Sequence, residues 1–248
     1  MFMSIEILIL FAIIIFFASI VHATIGFGLL MIATPLIALF TDIQTAIIYL
    51  LIPTLLINIA SIYNGEKIFL VIKKFLPLAI LTTIGTGIGT QILIQFPSEV
   101  FKLLLAFVIF FYLFSEKLNI NYSWINKKPK SSLVTFGLGA GLLSGLTNVM
   151  APFLIIYSLE SKHSKNELIQ LSNLCFLFGK FIQIAIFYTN GALIYDDMIN
   201  SSLMLPIVFI AFLIGVKIKD KIDADNYKRI IKYLLIIIAS SLIIQSLV

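Results

Sequence analysis

Apolar residues run along the chain in long blocks, divided by short polar turns rather than alternating with polar positions. The first block, 5–40, is apolar throughout except at His22-Ala23-Thr24-Ile25-Gly26-Phe27-Gly28. A turn follows at Thr41-Asp42-Ile43-Gln44, and then 45–63, 75–95 and 100–114 read as helices. The stretch 115–132 is polar. A second interrupted block, 133–159, is broken at Ser144-Gly145-Leu146-Thr147-Asn148, and helices follow over 168–188, 202–216 and 230–247. The pieces beside the second break, 133–143 and 149–159, have 11 residues each. As helix each reaches about 16 Å, against a hydrocarbon core of about 30 Å. Together they form either one broken span or a re-entrant hairpin with its tip near the midplane. Gly, Thr, Asn and then Pro152 suit a point where one helix stops and another starts. Non-helical backbone at that depth must be buried in protein or line a cavity. A kinked, glycine-rich packing helix is the plainer alternative.

Composition places the whole pattern in a membrane. The chain has 248 residues, 60% hydrophobic and 12% charged, with mean hydropathy +1.11. Soluble domains are about one-quarter charged. The sequence therefore reads as a polytopic membrane protein with no room for a separate soluble domain. The single cysteine, Cys175, excludes an internal disulfide and any multi-cysteine metal site, and is expected to be buried. Residues 1–20 look like a signal peptide, but the start carries Glu6 and no Lys or Arg, so this stretch is expected to be retained. The net charge of +5 reports orientation before it reports any nucleic-acid partner.

The two halves repeat one another. A broken block precedes three helices twice, with Pro35 and Pro152 after the breaks. Ile59-Ala60-Ser61-Ile62-Tyr63-Asn64-Gly65 echoes Ile184-Ala185-Ile186-Phe187-Tyr188-Thr189-Asn190-Gly191, and Leu76-Pro77 echoes Leu205-Pro206. Internal repeats of this kind are common in transporters. Of the 17 Lys and Arg, 15 lie in four regions: 67–74, 117–130, 162–165 and 217–232. If each broken block returns to its own side, all 15 fall on one side, opposite Asp42, Glu99, Lys102, Asp196 and Asp197. The positive-inside rule prefers that arrangement. It predicts an all-α polytopic membrane protein made of two inverted-topology repeats, each a re-entrant helical hairpin plus three transmembrane helices. The first repeat is 1–115, a cytoplasmic linker 116–132 and the second repeat 133–248, in one integral membrane domain of the cell membrane. Six helices cross and both termini are extracytoplasmic. Hydropathy alone counts about eight spans, and residues 5–21 are long enough to cross by themselves; the first broken block could then be two full spans rather than a re-entrant hairpin, which leaves the parity unchanged.

Lys180 lies near the middle of 168–188, and no Asp or Glu lies at similar depth. Intramembrane charge usually faces a cavity or a partner, with snorkelling as the alternative. Asn173 and Gln183 share its face. Asn58, on the related helix of the first half, is equally suited to an interhelical hydrogen bond and to a substrate contact. The short helices after the breaks would aim their N-termini at the midplane, where free N–H groups and the dipole favour an anion. Thr24, Thr147 and Asn148 could cap these ends or touch the ligand, and Gly26, Gly28 and Gly145 let backbone approach closely. His22, beside the first break, is the candidate for proton coupling. His163, among charged residues, is expected to be solvated. No HExxH, GxSxG, paired intramembrane aspartate or GxxxxGK[ST] is present, so proteolysis and P-loop nucleotide binding lack their parts. Gly85-Thr86-Gly87-Ile88-Gly89 lies inside a membrane helix and reads as close packing.

These residues, in this order, resemble the sulfite exporter TauE/SafE family of membrane permeases. The carriers are His22 to Gly28 with Pro35, then Gly85 to Gly89. In the second half they are Gly137-Leu138-Gly139-Ala140-Gly141-Leu142-Leu143-Ser144-Gly145 with Pro152, Asn173 to Gln183, and Gly215-Val216-Lys217-Ile218-Lys219-Asp220-Lys221-Ile222. The first break lacks the run of consecutive glycines common in the family. The resemblance covers essentially the whole chain. It implies a permease for small anions, with sulfite, sulfonates and organosulfur acids as usual substrates. The reading is thus a secondary permease or facilitator that exports or exchanges a small anion, not an enzyme, with Lys180 as counter-charge. No cofactor, metal or nucleic-acid partner is expected, and a homo-oligomer is left open. A non-transporting membrane assembly factor and a cation permease are the alternatives.

Overall fold

The computed structural model describes residues 5–65, 68–114, 124–219 and 224–247, and all regular structure among them is helical. The first half holds α1 (Ile5–Ile25), α2 (Leu29–Ala38), α3 (Ile43–Tyr49), α4 (Leu51–Tyr63), α5 (Ile68–Gln95) and α6 (Ser98–Phe114). The second holds α7 (Trp124–Lys127), α8 (Pro129–Thr147), α9 (Ala151–Glu160), α10 (Lys165–Thr189), α11 (Tyr195–Leu203), α12 (Leu205–Ile218) and α13 (Ala224–Leu247). Residues 116–123 of the expected linker lie outside the described residues, as do Lys67 and Lys221 and the last residue of the first repeat, Ser115.

Among the described residues four stretches are long and apolar enough to cross a membrane: Ile5–Ile25, Ile68–Gln95, Lys165–Thr189 and Tyr195–Ile218. A fifth counts if α3 and α4, bent by 49° where they meet, make one span. Length and composition thus support four or five spans where the sequence pattern predicts six. Of the helices predicted to cross, α6 with 17 described residues and Ile231–Ser246 of α13 are shorter apolar helices.

Both breaks differ from the predicted form. The arms are unequal, 21 and 10 residues around the first break and 19 and 10 around the second. The helix α1 runs straight through His22 to Ile25 and stops at Gly26, whose φ of +90° favours glycine. A Cβ there would also collide with Ile169. The helix α8 likewise runs through Ser144-Gly145-Leu146-Thr147 and ends at Asn148, which is left-handed at φ 65° and donates its N–H to Ser144 O at 2.8 Å. Packing explains why the glycines do not break it. A Cβ on Gly141 would strike the Thr82 carbonyl, and one on Gly145 would sit 2.5 Å from Thr90 N, so the backbones of α5 and α8 touch. Gly85 and Gly89 make the same approach from α5, so the close-packing reading of that cluster holds.

The bend between α3 and α4 was not expected within 45–63. Pro53 has no N–H for the Tyr49 carbonyl, which accepts instead from Ser201 Oγ at 3.0 Å; that hydroxyl accepts from Ile52 N at 3.3 Å. A residue of α11 thus completes the kink.

Hydrogen bonds fix which helix ends gather. Ile43 N to Ser98 Oγ, Gln245 Nε2 to Leu39 O and Gln91 to Asn190 tie one end of the bundle. The Lys74–Glu167 ion pair and Asn126 Nδ2 to Glu160 O tie the other. The short helices α2 and α9 therefore finish at opposite ends. Across the bundle α1 packs on α12, α5 on α8, α4 on α10 and α6 on α13. His163, expected in solvent, instead packs edge-on against Phe75 at 5.1 Å and beside Tyr157 at 6.0 Å. Burial and the nearby Lys74 lower its pKa, opposed by Glu167.

Candidate functional site

The two breaks meet on one face of α10. Its serine N-cap and Glu167 form a capping box that sets its start. Asn173 and Lys180 lie within four residues of its middle residue, Leu177, and so about 10 Å apart along the axis. Asn173 holds the first break: its Nδ2 donates to Gly26 O at 2.8 Å and to Ile169 O at 2.7 Å. Its Oδ1 lies 3.0 Å from His22 Nε2, and Ser61 Oγ lies 3.2 Å from the same nitrogen. His22 Nδ1 accepts the N–H of Leu29, the first residue of α2, at 3.4 Å. With Asn173 Oδ1 as the acceptor on one nitrogen and Leu29 N–H the donor on the other, these bonds fit a neutral ring with its proton on Nε2.

Lys180 holds the second break. Its Nζ donates to Asn148 Oδ1 and Gln183 Oε1, and it is 1% exposed. Gln183 Nε2 reaches Ser144 O at 3.4 Å, and Asn148 Nδ2 donates to Thr34 Oγ1 on α2 at 3.0 Å. The cation therefore sits at the C-terminal end of α8, where carbonyls and the dipole favour positive charge.

Between the breaks lies a small cavity of about 10 Å³, room for about one water. Its wall includes Gly28, Leu29, Leu30 and Met31 from the start of α2, Val149 and Ala151 from the start of α9, and Thr54, Asn58, Phe176 and His22. A wider cavity of about 190 Å³ is lined by Gly26, Ser61, Asn64, Gln170 and Lys219 among others. His22 lines both cavities.

Thr54 and Asn58 are 1% and 0% exposed, and none of Thr54 Oγ1, Asn58 Nδ2 and Asn58 Oδ1 makes a hydrogen bond with any described residue. Buried polar atoms are rarely left so. The sequence carried one signal for the pair, an i, i+4 polar step in an otherwise apolar helix, with Ser61 on the same face. The two helix starts are unequal. In α9, Pro152 has no N–H and Phe153 N bonds back to Met150 O at 3.1 Å, so α2 supplies more free donors.

Of the residues predicted for the site, His22, Gly26 and Gly28 line a cavity. Asn173, Gln183, Asn148 and Lys180 tie the breaks to α10 and do not line either cavity. Thr24 Oγ1 donates to Val21 O and Thr147 Oγ1 to Leu143 O, each at 2.8 Å, within their own helices. Gly145 serves the contact with α5.

A family model described as sulfite exporter TauE/SafE matches residues 11–242. No curated protein and no solved structure matches the chain. With nearly the whole length covered, the chain belongs to the sulfite exporter TauE/SafE family.

Proposed function

We propose that this membrane transporter exports or exchanges a small anion, such as sulfite, a sulfonate or an organic acid, through the cavity between the two breaks. The carrying observation is the pair Thr54 and Asn58, buried without partners on the wall that the starts of α2 and α9 share. Unpaired donors on those side chains and on the first turn of α2 favour a negative ligand. Lys180 supplies the counter-charge through Asn148, one residue from the cavity wall at Val149. The cavity is too small for such an anion as it stands, so the breaks part during transport.

The two halves act as inverted repeats. The exchange of partners supports this: α1 of the first half packs on α12 of the second, and α8 of the second on α5 of the first. Rocking one half against the other would open the site to each side in turn. The lysine-rich end is cytoplasmic and both termini lie outside. An interior-negative potential then drives export of a monoanion by about 2.3 kcal/mol per 100 mV, a roughly 50-fold gradient. His22, which lines both cavities, is the group through which a proton could be coupled.

The test is flux in proteoliposomes with labelled sulfite, sulfate, sulfonates and short carboxylates, with and without an imposed potential and pH gradient. Saturable flux that follows the potential is expected. Absence of flux for every anion, from folded protein, would overturn the proposal.

A further inference from the structure

We infer that the site selects singly charged anions with one apolar face over dianions of the same shape. The inference rests on the transport reading above and concerns the charge its substrate carries. Two observations support it independently.

The first is the charge count at the buried centre. No cationic side chain other than His22 borders the inner cavity, and the bonds of His22 fit a neutral ring. Lys180 brings at most one positive charge, and its partners Asn148 and Gln183 are neutral. The one ion pair among the described residues, Lys74–Glu167, lies at an end of the bundle. One negative charge in the cavity therefore leaves the buried centre neutral. A second leaves a net charge in a low-dielectric interior. The idealised solvation cost of an ion grows as the square of its charge, so it is about four times larger for a dianion.

The second is the wall itself. Its polar side chains are Thr54, Asn58 and His22, whereas Phe27, Leu29, Leu30, Met31, Val149 and Phe176 are apolar, so most of the wall is apolar. A symmetric oxyanion would leave part of its hydration shell unreplaced against these side chains. An anion with an apolar substituent buries that substituent there and turns its charged head to the donors.

Methanesulfonate and methylphosphonate make the test. Their shapes match, but methanesulfonate carries one charge throughout while methylphosphonate passes from one charge to two across neutral pH. Flux of both is measured in proteoliposomes on either side of neutral pH, with sulfate as a constant dianion. We expect both to be carried on the acid side. On the alkaline side methylphosphonate flux falls about tenfold or more, while methanesulfonate stays within about twofold, which controls for titration of the protein itself. Equal flux of methylphosphonate in both states, or sulfate carried as well as methanesulfonate, overturns the selectivity and leaves the anion transporter standing. No flux of these probes from protein that carries sulfite or a short carboxylate overturns the selectivity alone, and no flux of any of these anions from folded protein overturns both.

Discussion

Asn58→Leu separates a ligand contact from a packing residue, because the two roles predict opposite signs in two assays. Asn58 is fully buried, and its amide nitrogen and oxygen both lack partners. Leaving such groups unpaired costs about 1–3 kcal/mol relative to an apolar side chain of similar shape. Leucine is bulkier than asparagine, and the adjoining cavity of about 10 Å³ takes part of the added volume. The variant should therefore be more stable by about 1–3 kcal/mol, which for a chain of this size raises the melting temperature by about 2–12 °C. The same substitution removes a hydrogen bond to the anion. Bonds to a charged group are worth about 1.5–3 kcal/mol, so apparent affinity should fall roughly 10- to 150-fold. Thermal melting in detergent and saturable flux in proteoliposomes, on one preparation, read both effects. A lower melting temperature would show that Asn58 stabilises the fold, and a stabilised variant with unchanged flux would show that its amide does not meet the substrate.

Lys180→Met should abolish potential-driven flux and also cost about 1–3 kcal/mol, since Asn148 Oδ1 and Gln183 Oε1 lose their donor; undiminished flux would remove the counter-charge role. Gly141→Ala places a methyl against the Thr82 carbonyl, where no side chain can turn aside. It should destabilise by about 1–3 kcal/mol in a thermal melt, and an unchanged melting temperature would refute the backbone-contact account. His163 is held neutral in the fold, its pKa lowered from 6.5. Its contribution is present above the unfolded pKa and is lost as pH falls below about 6.5 through the lowered folded value. His163→Phe should keep the packing on Phe75 and Tyr157 and flatten the acid side of a melting-temperature profile; a profile that keeps its slope would assign the loss elsewhere.

Much of this arrangement was legible in the sequence because glycine and proline act locally. The stop at Gly26, the packing of Gly85 and Gly89, and the shared face of Asn173, Lys180 and Gln183 follow from residue type and helical spacing. What escaped depends on residues far apart in sequence. Gly145 looks like a helix breaker, yet Thr86 and Thr90 of α5 hold it in a helix. Pro53 marks a kink only once Ser201, about 150 residues away, satisfies the freed carbonyl. Lys180 reads as a bare charge, while its neutral acceptors lie on α8's end and one turn along its own helix. The clearest case is Thr54 and Asn58. Their polarity is visible in the sequence, but their lack of partners exists only in three dimensions.

The central claim is that the anion passes between the breaks, at the wall formed by Thr54 and Asn58. The direct measurement is thiol labelling of Thr54→Cys, in a background where the buried Cys175 is replaced by alanine. An anionic methanethiosulfonate reagent is applied to transport-active proteoliposomes, with and without saturating methanesulfonate. The account predicts that the cysteine is modified during turnover and that methanesulfonate protects it. Modification at the same rate with and without the anion, or no modification in protein that still transports, would contradict it.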